Sequence, residues 1–69
     1  MSKKRFVDFY LAAMLKAAPD GQVIRLDYAV QGQTEIVTVY HTGGFRRVNV
    51  TGNSLLFIAA DVLREVTKL

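Results

Sequence analysis

The stretch Val23-Ile24-Arg25-Leu26-Asp27-Tyr28-Ala29-Val30-Gln31-Gly32-Gln33-Thr34-Glu35-Ile36-Val37-Thr38-Val39-Tyr40 decides how this chain folds. Its hydrophobic period is two. Ile24, Leu26, Tyr28 and Val30 alternate with Val23, Arg25, Asp27 and Ala29, the pattern of a strand with one buried face. Gln31-Gly32 reads as a two-residue hairpin turn, because glycine accepts the positive φ that such turns demand. A second strand then runs from about Thr34 to Thr42, Gly43-Gly44 makes the next turn, and a third strand runs from Phe45 to Thr51. These turns set Leu26 against Val37 and Ile24 against Val39. They also set Val39 against Val48 and Val37 against Val50. Two turns chosen independently therefore align two apolar rows, Ile24–Val39–Val48 and Leu26–Val37–Val50. A slip of one residue would turn each apolar set to the wrong face.

On the N-terminal side the period changes. From about Arg5 to Ala18 the chain is rich in Leu, Met and Ala, which favours helix, and Ser2 is placed to cap its start. Phe6, Tyr10, Ala13, Met14 and Ala17 share a face at helical spacing, while Asp8, Ala12 and Lys16 mark a narrow polar face. Pro19-Asp20-Gly21 stops the helix. On the C-terminal side, Asn53 or Ser54 caps a second helix whose apolar stripe is Leu55, Ile58, Ala59, Val62, Val66 and Leu69. Asp61 with Arg64, and Glu65 with Lys68, fall at pairing distance on its wet face.

The expected architecture is α+β, in the order α-β-β-β-α. It is a three-stranded antiparallel meander with both helices packed on one face, forming a single domain over residues 1–69. By element order alone this resembles the double-stranded RNA-binding domain. That family carries a lysine cluster at the start of its last helix, where this chain has Ser54-Leu55-Leu56-Phe57-Ile58 and no basic residue. No functional residue is carried over from the resemblance.

A chain of 69 residues buries only about 60% of the surface its unfolded form exposes, yet 51% of these residues are hydrophobic. The apolar content exceeds what one small core absorbs. With the valine rows turned to the helices, the other sheet face displays Val23, Arg25, Asp27, Ala29, Ile36, Thr38, Tyr40, Thr42, Phe45, Arg47, Asn49 and Thr51. Its expected rows are Val23–Tyr40–Arg47 and Arg25–Thr38–Asn49. Phe57 falls beside Asp61 and Arg64, away from the core stripe. Val23, Ile36, Tyr40, Phe45 and Phe57 are accordingly the interface candidates of a homo-oligomer or protein-binding module. The alternative is single-stranded nucleic acid, with bases stacked on Tyr40 and Phe45 and phosphates met by Arg25, Arg46 and Arg47. The net charge of +3 is compatible with either.

Enzyme chemistry is not expected. His41 is the single histidine, at a strand end, and Ser2 and Ser54 serve as caps. The carboxylates are scattered along turns, helix faces and the sheet. Gly43-Gly44 has no following helix or lysine and is a turn rather than a phosphate loop. With no cysteine and one histidine, neither a disulfide nor a structural zinc is expected, nor any cofactor or small-molecule substrate. Lys3-Lys4-Arg5 followed by apolar residues has the outline of a leader, but Asp8 interrupts it and no apolar run approaches the ~20 residues of a membrane span. The expected location is the cytoplasm.

Overall fold

Ser2 and Ser54 each open a helix. Ser2 Oγ accepts from the Arg5 amide at 3.1 Å, and Ser54 Oγ accepts from the Phe57 amide at 3.4 Å, satisfying donors left unpaired in a first helical turn. The structure is a computed structural model that describes residues 1–18 and 21–69; the helix stop read at Pro19 and Asp20 lies outside them. The N-terminal helix comprises α1 (Lys3–Arg5), a π-helical segment (Phe6–Leu11) and α2 (Ala12–Lys16). Strands β1 (Val23–Gln31), β2 (Thr34–His41) and β3 (Gly44–Asn49) follow, and then α3 (Leu55–Val66). The sheet is antiparallel in the order β1-β2-β3, so the chain is a small α+β fold with a helix–β–β–β–helix order.

The core draws on every layer. Val7, Leu11, Ala12 and Leu15 of the N-terminal helix meet Val23, Leu26, Val37, Val39, Val48 and Val50 of the sheet region and Ile58 and Val62 of α3. The α3 stripe is the expected one: Ile58 and Val62 are fully buried, with Ala59 and Val66 packed against them. The N-terminal helix is rotated from expectation. Tyr10, Met14, Ala13 and Ala17 face solvent, and Ala12, read as part of the polar face, is buried. Two physical reasons account for this. A π-helical turn closes i→i+5 bonds, here Ala12 N–H to Val7 C=O, and its wider spacing brings Val7, Leu11 and Ala12 to one side. Polar anchors then set the rotation, since the helix is apolar almost all round. Asp8 Oδ1 accepts from the Tyr28 amide at 2.8 Å, and Lys4 Nζ donates to the Tyr28 carbonyl at 3.3 Å. Asp8, placed by the sequence on the narrow polar face of the helix, is thus a clamp on strand β1.

Both hairpins turn later or earlier than expected by one residue, which shifts each pairing by two. The turns are Gly32-Gln33, with Gly32 at φ +63°, and Thr42-Gly43. Leu26 faces Val39 and Tyr28 faces Val37; Val37 faces Val48 and Val39 faces Arg46. An even shift preserves the faces, so the valines stay inside although their partners change. At the start of β1 the parity itself breaks. Val23 pairs with His41 and Arg25 with Tyr40, leaving Ile24 as the extra residue of a bulge. The bulge turns Val23 into the core and leaves Ile24 55% exposed, the reverse of the expected placement.

Candidate interaction surfaces

The shifted register builds the open sheet face. Its rows are Arg25–Tyr40–Phe45, Asp27–Thr38–Arg47 and Ala29–Ile36–Asn49. The first row gathers two aromatic rings that the expected register held in different rows. Tyr40 and Phe45 lie with ring centroids 6.3 Å apart at 44°. The Arg25 guanidinium sits 4.3 Å from the Tyr40 centroid, and that of Arg47 5.5 Å from the Phe45 centroid. Each contact is a cation–π pair, in which the positive guanidinium meets the negative ring face. The four side chains form one continuous arginine–tyrosine–phenylalanine–arginine stack across all three strands. Beside it lies a shallow groove of about 260 Å³ between Asp27, Ala29 and Gln31 on β1 and Ile36, Thr38 and Tyr40 on β2, with Arg47 at one side.

Two residues expected at these surfaces lie elsewhere. Val23 is in the core, placed there by the bulge. Arg46 alternates with its neighbours onto the helix side of β3, where Nη1 meets Glu65 Oε1 at 3.3 Å. Glu65 also holds Lys68 at 3.0 Å, and these cations keep its carboxyl below the ordinary range, Lys68 foremost. Ile36, Tyr40 and Phe45 do share the open face, and Phe57 is exposed on α3.

The two helical elements carry a second set of exposed apolar side chains. Phe9, Tyr10 and Met14 of the N-terminal helix and Leu56, Phe57 and Leu63 of α3 are all between 42% and 74% exposed. Of these only Phe57 stood out in the sequence. The usable signal for the others was a helix with more apolar residues than one buried face can take.

At the opposite rim, Glu35 ties the elements together. Oε1 accepts from Lys3 Nζ at 2.8 Å and from the Tyr28 hydroxyl at 2.6 Å, and Oε2 accepts from the Gly52 amide at 2.8 Å. These donors, Lys3 first, lower its pKa to about 2, while the carboxylate and then partial burial push the Tyr28 hydroxyl up to about 12. His41 Nδ1 accepts from the Gly43 amide at 3.1 Å, placing this ring in the β2–β3 turn. Among the described residues, no three His, Cys, Asp or Glu side chains converge as a metal site, and no helix is long and apolar enough to cross a membrane. No protein-family model, curated protein or solved structure gives a significant match to the chain.

Proposed function

We propose that the chain is a small non-enzymatic interaction module that self-associates through the outer face of its helical layer. The observation that carries this is the set of six large apolar side chains, Phe9, Tyr10, Met14, Leu56, Phe57 and Leu63, that the two helical elements leave exposed to solvent. Single exposed apolar residues are ordinary, whereas several on one layer of so small a fold mark an association surface. A second copy suits this face. An isologous contact sets the same patch against itself, and an apolar patch needs no complementary charge pattern. A standard interface takes about 800 Å² from each partner, under a fifth of the 4473 Å² that this chain exposes. Burying it adds apolar contact to a fold whose own core is small.

Light scattering coupled to size exclusion tests the proposal from low micromolar to high micromolar concentration. The expected result is a mass rising to twice the 7.7 kDa of the chain. Phe9→Ser combined with Phe57→Ser should hold the protein at the monomer mass while leaving its far-UV spectrum unchanged. A strict monomer across the whole range, or a dimer untouched by both substitutions, overturns the assignment.

A further inference from the structure

We infer that the open sheet face is a binding site for single-stranded nucleic acid, with the Arg25–Tyr40–Phe45–Arg47 stack as its platform. Three observations converge on it. The first is geometric: Arg25 and Tyr40 are paired residues on neighbouring strands, Tyr40 and Phe45 likewise, and the rings stand 6.3 Å apart. Phe45 is 59% exposed, so beyond its contacts with Tyr40 and Arg47 part of its side chain remains open to a base. The Arg25 guanidinium over Tyr40 is itself a plane on which a base stacks.

The second observation is charge. Asp8, Asp27, Glu35, Asp61 and Glu65 each lie within 4.0 Å of a lysine or arginine nitrogen. Among the described residues, no carboxylate comes that close to Arg25 or Arg47. The charge left over in a chain of net +3 therefore includes the two guanidinium groups that flank the aromatic pair. Asp27, the one acidic side chain on this face, lies 3.7 Å from Lys4 Nζ, a cation it shares with Asp8 at 2.8 Å. A polyanion meets uncompensated positive charge here, held in place by cation–π contact.

The third observation is the groove beside the stack. Asp27, Gln31 and Thr38 line it and offer donors and acceptors to the edge of a base whose face is engaged next door. Duplex is disfavoured by the same geometry. Its bases are stacked on each other and present no face to a flat sheet, so the ligand is single-stranded.

Fluorescence anisotropy with a labelled 12-nucleotide mixed-sequence DNA, the RNA of the same sequence, and the corresponding duplex tests this at about 50 and 200 mM salt. Both single strands should bind at least tenfold more tightly than the duplex; any difference between them separates DNA from RNA as the preferred form. With two phosphate contacts, affinity should fall roughly 7-fold between the two salt concentrations. Arg25→Gln with Arg47→Gln should abolish that salt dependence. Phe45→Ala should weaken binding roughly 5- to 150-fold at either salt concentration. All three positions are exposed, and thermal melts of the variants should overlay the parent. Absence of binding at low salt, equal binding of duplex, or affinity unchanged by these variants overturns the inference. So does a change in oligomeric mass caused by the sheet-face variants, which would make this face a protein contact. The residues tested here differ from those of the helical face, so the two proposals fail separately.

Discussion

The Tyr28 hydroxyl donates a 2.6 Å hydrogen bond to Glu35 Oε1, the oxygen that also accepts Lys3 Nζ. Because Glu35 Oε2 receives the Gly52 amide and the Glu35 amide itself donates to Thr51 Oγ1, one residue joins the helix start, two strands and the turn into α3. Glu35→Ala should therefore lower the melting temperature more than Glu35→Gln. Glutamine keeps one acceptor oxygen, for Tyr28 or for Gly52, and loses the ion pair with Lys3 together with the other of those two bonds. Equal losses in differential scanning calorimetry would mean that charge alone matters at this site.

The same pair sets a pH window. Glu35 has a folded pKa of about 2 against an ordinary 4.5, so its contribution is complete above 4.5 and is lost as pH falls toward 2. Tyr28 has a folded pKa of about 12 against 10.0, so its contribution is complete below 10 and is lost as pH rises toward 12. Melting temperature followed by circular dichroism should form a plateau between these limits. In Tyr28→Phe the alkaline fall should shrink, while the acid fall remains because Lys3 still holds Glu35.

The bulge at Ile24 makes a sharp contrast between neighbours. Ile24→Lys should change stability by less than about 0.5 kcal/mol, as at other exposed positions, because this side chain is already in solvent. Val23→Lys should unfold the protein or come close to it, since it puts a charge among Leu15, Leu26 and the rest of the core cluster. Urea titration of the two variants decides it; the opposite order would restore the unbulged register.

Asp8 guards the outer edge of β1. Asp8→Ala leaves the Tyr28 amide without its partner, at a cost of about 1–3 kcal/mol for an unpaired buried donor and less where water reaches it. Hydrogen exchange at the Tyr28 amide should accelerate more than at Leu26. Asp8→Asn, which retains an oxygen acceptor, should restore most of the protection. Exposed sheet edges also invite strand pairing between molecules, so Asp8→Ala should aggregate sooner on heating.

Truncating Ile58, fully buried in the first turn of α3, tests how much one side chain contributes. Ile58→Val should cost about 0.5–1.5 kcal/mol and Ile58→Ala about 2–5 kcal/mol. The larger loss approaches the whole stability of many domains of this size. Denaturant midpoints that barely move in Ile58→Ala would place α3 outside the cooperative core.

Period and caps were legible without any structure. Alternation from Leu26 to Val39, the glycines near each turn, and serines ahead of two helical runs are local features, and local sterics and hydrogen bonding read them directly. They determined the element order, the antiparallel sheet, the stripe of α3 and the side of the sheet that Leu26, Val37, Val39 and Val48 occupy. What tertiary structure decided is where several choices were nearly equal locally. Either neighbour of a glycine could share the turn, so a shift of two left every face intact and changed only the partners, bringing Tyr40 opposite Phe45. A helix apolar on nearly all sides has no preferred rotation until Asp8 and Lys4 find the backbone of Tyr28. The bulge moves Val23 inward because that position faces the core once Ile24 is left unpaired. Burial selects a face. Partners across the sheet are selected by the geometry of the whole fold.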